Sequence, residues 1–182
     1  ESGLASLLKQ ISKIKGTFRL RLLYIHPDHF NEDILPVIKD DERILPYFDI
    51  PFQSGDDEII KKMNRTGNSS KYIQLIKKIR SYFPEAAIRT TFMAGFPGET
   101  EEQAENTVKF LSEIRTDWSG CFTYSKEDDT KAYKFKNQIP AKISKKRADK
   151  LTEIQNAISV ERLKERCNKE YDVLIEEVLD QS

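Results

Sequence analysis

Two hydrophobic periods alternate along the chain. Leu4, Leu7, Leu8, Ile11 and Ile14 recur at helical spacing, with Gly16 as a C-terminal stop. Phe18 to Ile25 reads as a strand closed by His26-Pro27-Asp28, and Asn31 is placed to cap a short helix carrying Ile34, Leu35 and Ile38. Tyr47 to Phe52 is a second strand, with Pro51 at its end or at a distortion because proline brings no ladder donor. Ser54-Gly55-Asp56-Asp57 turns into a short helix through Ile59, Ile60 and Met63. Ser69 or Ser70 is placed to cap a longer helix whose apolar face is Tyr72, Leu75, Ile76, Ile79 and Phe83, and Pro84 ends it. Ile88 to Ala94 forms a third strand, followed by Gly95-Phe96-Pro97-Gly98 and the capping box Thr100-Glu101-Glu102-Gln103. Ala104, Val108, Leu111 and Ile114 make the next helical stripe, and Gly120 to Tyr124 is a fourth strand.

From about Ala141 the pattern changes. Leu151, Ile154, Ile158 and Cys167 sit at helical intervals among many charges, which predicts one long surface helix, and Tyr171 to Val178 alternates like a strand. Strands separated by amphipathic helices argue for βα units around a parallel sheet. Four strands are too few to close an eight-stranded barrel, so the fold class is α/β with part of a barrel or the middle of an open sheet. In either case ligands gather beyond the C-terminal ends of the strands. Four polar or Gly/Pro-shaped segments lie there: His26-Pro27-Asp28, Gln53 to Asp56, Gly95 to Glu99, and Tyr124 to Glu127.

Composition narrows the function classes. Of 182 residues, 38% are hydrophobic and 33% charged, with ten Phe and seven Tyr, enough apolar area for a packed core. No run approaches the roughly 18 apolar residues of a membrane span. No basic-then-apolar leader opens the chain, and Glu1 in place of Met suggests an excised piece. Thirty basic residues balance thirty acidic ones, so no global field favours nucleic acid or an anionic membrane. Two cysteines, Cys121 and Cys167, suggest a reducing compartment and cannot ligate an iron–sulfur cluster in the usual way. Their settings, a strand and a helix, suggest packing roles for both.

The strand-end loops carry the candidate chemistry. Gly95 to Thr100 joins a strand to a capped helix. Its two glycines permit positive φ or close approach, and such a turn can read a base edge or a phosphate; a ligand-free βα turn satisfies the same pattern. It is no P-loop, since no Gly-Lys-Ser/Thr follows. Gln53-Ser54-Gly55 can hold the polar groups of a nucleoside or amino acid, or Ser54 caps a helix while Gln53 is solvated. Arg65 can fork onto a carboxylate, or lie on the surface. His26 and His29 lack further convergent ligands, and nothing marks a nucleophile.

Taken together, Phe48 to Gly55, Met63-Asn64-Arg65 and Gly95 to Thr100, in this order and spacing, resemble the radical S-adenosylmethionine methylthiotransferases, over about residues 3–178. Leu23-Tyr24 before His26-Pro27-Asp28, Arg89-Thr90, and Tyr124-Ser125 with Glu127 and Thr130 resemble the branch that modifies an aspartate of a small-subunit ribosomal protein. The resemblance implies a partial TIM barrel cradling S-adenosylmethionine beside a 4Fe–4S cluster, with 1–140 as the C-terminal portion of that barrel, 141–170 as the helix that follows it and 171–182 as the start of a TRAM domain. It implies cofactor contacts from Gln53, Ser54, Gly55, Arg65, Gly95, Phe96, Pro97, Gly98 and Glu99, and a substrate side at Tyr124, Ser125 and Glu127. It also implies a ribosomal-protein substrate, an electron donor and a cytoplasmic setting, without membrane or nucleic-acid partners. The family's Cys-x3-Cys-x2-Cys loop is missing, so the chain is expected to hold no catalytic residue or metal ligand, to be inactive alone and to leave an open sheet edge. Three alternatives remain: the tRNA-modifying branch of the same family, a non-catalytic protein-binding module, and a phosphate-binding barrel enzyme relying on Lys126.

Overall fold

A computed structural model describes residues 1–173, 175 and 177. In chain order the elements are α1 (Gly3–Ser12), β1 (Leu20–Leu22), α2 (Ile34–Asp40), β2 (Ile44–Asp49), α3 (Asp57–Lys62), α4 (Ser69–Tyr82), β3 (Ala87–Ala94), α5 (Glu101–Ile114), β4 (Trp118–Thr123) and α6 (Ala141–Lys164), with single 3-10 turns at Pro27–His29 and Lys131–Lys134. The four strands form one parallel sheet in the order β1-β2-β3-β4. Sequential parallel order with intervening helices fits the arc of a barrel, one of the two arrangements that the alternating periods allow. β1 and β4 are its two edges, so the expected open edge is present.

One face of the sheet is covered. On β3, Ile88, Thr90, Phe92 and Ala94 are buried beneath the helices, while Ala87, Arg89, Thr91 and Met93 look the other way. The covered side packs an aromatic cluster: Phe110 of α5 meets Phe52 and Phe92 edge-on with centroids 5.4 and 6.2 Å apart, and Phe52 lies 5.0 Å from Tyr72 of α4. Gly55 is required here, because a Cβ at that position would stand 2.2 Å from Cβ of Phe110. The opposite face carries the Asp49–Arg89 ion pair at 3.0 Å and the Arg21 guanidinium 5.0 Å from the Tyr47 ring, together with exposed Trp118 and Phe122.

Between β2 and the second loop the pairing slips by one residue. Asp49 pairs with Arg89, yet Gln53 bridges to Phe92, so four steps on one strand match three on the other. That is a β-bulge, and Pro51 sits inside it as its missing donor predicts. The side chain of Thr90 repairs the gap: its hydroxyl donates to the Ile50 carbonyl at 2.8 Å and accepts from the Phe52 N–H at 3.2 Å. Regular contact resumes as Gln53 N–H donates to Thr91 and Met93 N–H donates to Gln53.

The structure revises several local expectations. β1 is three residues rather than eight, since Tyr24 adopts φ +56° and breaks the extended run. β2 begins at Ile44, ahead of the predicted Tyr47, with its pairing to β1 irregular around Pro46. Asn31 does not cap α2; Asp33 occupies that position, and its carboxylate accepts instead from Ser2 N–H (2.6 Å) and Ser2 Oγ (2.7 Å). Asn68, not Ser69 or Ser70, caps α4 through Lys71 N–H, because the Ser69 hydroxyl is engaged by Asp57. The buried face of α5 is Gln103, Thr107, Phe110, Leu111 and Ile114, turned from the predicted stripe because Gln103 and Thr107 bond to Glu58 and to the Ser54-Gly55 turn. The capping box of Thr100 and Gln103 forms as read. Cys167 lies in the turn after α6, exposed, so it is not packed as expected; Cys121 on β4 is partly buried. The strand expected at 171–178 falls largely outside the described residues, and those described there have no regular structure.

A Thr90→Val variant keeps the shape but orphans the Ile50 carbonyl and the Phe52 N–H, so urea unfolding should show a loss of about 2–4 kcal/mol, with Thr90→Ser recovering most of it.

Candidate functional site

The strand ends converge on a cavity of about 490 Å³. Gln53 from the bulge, Arg65 from the turn after α3, Met93 and Phe96 from β3 and its exit, and Tyr124, Ser125 and Glu127 from the β4 exit line it. Six of the sequence-derived candidates (Gln53, Arg65, Phe96, Tyr124, Ser125 and Glu127) are therefore brought to one hollow. Gln53 is held there at φ +70°, the left-handed region, by the backbone bonds that end the bulge. One Arg65 N–H donates to the Pro51 carbonyl at 2.7 Å, so this guanidinium buttresses the bulge as well as lining the hollow. Phe96, nearly buried, packs edge-on against Tyr124 and Phe135 with centroids 5.6 and 6.1 Å away.

The other candidates are placed differently. Ser54 is fully buried and bonds to Thr107 Oγ1 and to Asp56 N–H, and Gly55 N–H donates to Thr107. Both serve the turn into α3 rather than the hollow. Gly95 turns at φ +78° with a Cβ position 1.9 Å from Ser144 Oγ of α6, so glycine lets the turn and the long helix touch. Glu99 is buried: its carboxylate accepts from Gly95 N–H at 2.9 Å and pairs with Arg147 of α6 at 2.8 Å. Burial pushes this carboxyl up, against the pull of Gly95 N–H and Arg147. Gly98, at φ +79°, donates its N–H to the Asn137 carbonyl and so fastens the loop that follows β4. Pro97 is buried within the same turn.

Beyond Thr130, which the sequence resemblance includes, the segment 131–135 supplies lining that no sequence motif marks. Thr130, Lys131, Ala132 and Phe135 close one side of the hollow, with the Thr130 hydroxyl capping the 3-10 turn. The signal available was the aromatic pair Tyr133 and Phe135 inside an otherwise polar run. Met93 was hidden by its place in an apolar strand, where only strand parity reveals that it faces away from the helices. Next to the hollow, Asp28 holds the segment that follows Arg65. It accepts from Thr66 N–H, Gly67 N–H and Tyr72 Oη at 2.7, 3.0 and 2.7 Å. Although burial opposes it, hydrogen bonds from Tyr72 and Thr66 lower the Asp28 carboxyl below the ordinary range.

A larger cleft of about 600 Å³ opens on the helical flank between α3, α4 and α5, away from the strand ends. Three of its carboxylates are engaged: Asp56 caps α3, Asp57 holds Ser69 and Glu58 holds Gln103. The hollow at the strand ends is where a parallel sheet places chemistry, and it gathers several groups that no hydrogen bond engages among the described residues. Among these is the Tyr124 hydroxyl, buried without a hydrogen-bond partner among the described residues.

The profile of the radical SAM superfamily matches residues 2–111, more than half of the sequence. The chain belongs to the radical SAM superfamily. Members use S-adenosylmethionine together with a 4Fe–4S cluster. The ribosomal protein uS12 methylthiotransferase RimO of Treponema denticola is 52% identical over 185 residues, covering 98% of this chain and 40% of that protein. RimO of Pseudothermotoga lettingae is 42% identical over 174 residues, covering 96% and 40%. The chain thus spans about 40% of the length of these relatives. Among solved structures, the radical SAM enzyme coproporphyrinogen III oxidase (HemN) of Escherichia coli superposes with a TM-score of 0.63 at 15% identity, over 87% of this chain and 36% of that one. This likeness in fold agrees with the partial barrel that the sequence resemblance implies.

The cluster does not fit the residues present. No group of three His, Cys, Asp or Glu able to hold a metal occurs among the described residues. Burial pushes the Cys121 thiol up to about 12, and Cys167 lies apart in an exposed turn. S-adenosylmethionine does fit, in that a 490 Å³ hollow of mixed apolar and polar lining with an unpartnered buried hydroxyl suits a small polar ligand.

Two measurements check this site. At pH 8, iodoacetamide should modify Cys167 rapidly and Cys121 far more slowly in the native protein, the difference vanishing in urea, read by peptide mass mapping. Arg147→Ala leaves Glu99 buried without its partner, so stability near pH 7 should fall by roughly 3–5 kcal/mol. Because the folded carboxyl of Glu99 is raised, the folded state takes up its proton before the unfolded chain does. The deficit should therefore shrink as pH falls from neutrality towards the ordinary glutamate range near ~4.3.

Proposed function

We propose that this chain is the S-adenosylmethionine-holding part of a methylthiotransferase that acts in the cytoplasm on an aspartate of a small-subunit ribosomal protein, with a separate electron donor. The observation that carries the reading is the convergence of Gln53, Phe96 and Tyr124 on one hollow at the strand ends, in a chain similar over nearly its whole length to proteins named for methylthiotransfer to uS12. When bound beside its cluster, S-adenosylmethionine supplies a carbon-centred radical able to abstract hydrogen from an unactivated carbon.

This chain's own residues bind and orient. Phe96 offers an aromatic wall at its edge-on contacts with Tyr124 and Phe135, suited to an adenine face. Gln53 presents both an amide donor and a carbonyl acceptor, suited to ribose hydroxyls. Arg65 offers charge to the methionyl carboxylate. Tyr124 supplies the buried hydroxyl that awaits a partner. Ser125 and Glu127 stand at the rim, where a substrate side chain would enter. Glu99 and Gly95 shape the turn that positions Phe96, and we assign Ser54, Gly55, Pro97 and Gly98 the same supporting part. Cluster ligands and sulfur delivery belong to other parts of the enzyme, and 171–182 leads into a TRAM domain.

Calorimetric titration of the chain with S-adenosylhomocysteine tests the assignment. Saturable binding is expected, weakened about 3- to 10-fold by Tyr124→Phe through loss of one hydrogen bond and likewise by Gln53→Ala. Ser54→Ala should lower stability and leave affinity unchanged. Binding indifferent to Tyr124 and Gln53, or no binding, overturns the reading.

A further inference from the structure

The equal totals of acidic and basic residues conceal a segregation. The nineteen residues between Asp129 and Asp149 hold seven lysines and arginines and no carboxylate. The fold brings part of this run beside the hollow. The 3-10 turn Lys131–Lys134 flanks its lining, Asn137 is tied to Gly98, and a Cβ built at Gly98 would stand 3.8 Å from Lys62 Nζ and 3.9 Å from Asn137 Cβ. Lys61 and Lys62, at the end of α3, line the cavity from the other side. Together with Lys126, Lys134 and Lys136 they form a collar of exposed ammonium groups, none of which makes an ion pair among the described residues. The carboxylates nearest in sequence to Lys126 and Lys131 are Glu127, Asp128 and Asp129, all exposed on the loop that leads into the collar, with only Glu127 reaching the hollow. Those nearest Lys61 and Lys62, Glu58 and Asp57, are held by Gln103 and Ser69.

Two features decide what such a collar fits. Its cations are lysines, compact point charges suited to phosphate, whereas of the nearby arginines Arg147 is committed to Glu99 and Arg65 lines the hollow itself, with one N–H on the Pro51 carbonyl. Interleaved with them are the half-exposed rings of Tyr133 and Phe135, with Lys126 Nζ 4.2 Å from the Tyr133 centroid. Ammonium groups that follow a phosphate backbone, set among aromatic rings on which bases stack, are the physical recipe for binding single-stranded nucleic acid without reading its sequence. We propose that the collar formed by Lys61, Lys62, Lys126, Lys131, Lys134 and Lys136 docks a single-stranded RNA backbone beside the mouth of the hollow, as an anchoring surface and not as the group to be modified. The proposal stands on charge and aromatic placement and is independent of the S-adenosylmethionine assignment.

Fluorescence anisotropy of the full chain with a labelled 20-mer of uridine tests it. If five lysines engage phosphates, affinity should fall on the order of 100-fold between 50 and 200 mM salt, following a single-strand slope of about −0.7 per contact. The triple variant Lys126→Gln, Lys134→Gln, Lys136→Gln should reduce that slope by about 2, and Tyr133→Ala should weaken binding at fixed salt. S-adenosylhomocysteine titration of the triple variant should match the parent, which separates failure of this proposal from failure of the cofactor reading. No binding at 50 mM salt, a salt slope unchanged in the triple variant, or equal or tighter binding of polyglutamate or of phosphatidylserine vesicles overturns it.

Discussion

The buried carboxylate of Glu99 is the interaction on which the site depends. It receives the Gly95 N–H from within its own turn and the Arg147 guanidinium from α6. A second Arg147 nitrogen reaches Glu101 at the start of α5. One side chain thereby joins the exit of β3, the entry to α5 and the long helix. With the contact between Gly95 and Ser144, it fixes the direction in which Phe96 leaves the sheet. A buried ion pair of this sort adds little net stability over apolar packing, because desolvation offsets most of the attraction. What it gives is definition: the turn cannot relax without leaving a charge unpaired.

α6 is accordingly part of the barrel's covering layer. Its buried positions include Ser144, Ala148, Leu151, Gln155 and Ile158, and polar contacts pin it along its length. Gln155 bonds to Thr116, Ser159 bonds to the Asp117 carbonyl, and Arg166 just past the helix meets the Asp117 carboxylate. Asp117 in turn accepts from Ile88 N–H at the foot of β3. The helix is thus tied to β3 and β4 at both ends, near Gly95 at the top and near Ile88 at the bottom. At about 1.5 Å per residue its 24 residues span roughly 36 Å.

Much of this was legible in the sequence, for identifiable reasons. Order and parallel direction follow from alternating periods, which survive as long as one face of each element is buried, as the paired registers from Tyr47 to Ala94 show. The capping box is local and needs no tertiary help. What escaped depends on contacts distant in sequence. Ser54 looks like a ligand group until Thr107, far along the chain, is seen to occupy it. Asn68 displaces two serines as a cap because Asp57 has already taken Ser69. The lining from 130–135 carries no periodicity, being held by Thr130 and by Asn137 on Gly98. Charge segregation is likewise invisible to a total, since an even sum says nothing about where each sign lies.

The irregular pairing around Pro51 has a further consequence for how this stretch can vary. Because alternation in a strand has period two, one extra residue reverses which side every later side chain faces. Shortening the run between Asp49 and Gln53 by a single residue would restore an unbroken ladder, yet it would present the glutamine amide to the wrong side of the sheet. Exchange of one side chain for another of like shape is compatible with this geometry, whereas any change of length is not. The count of residues here is therefore as much a part of the binding surface as their chemical identity.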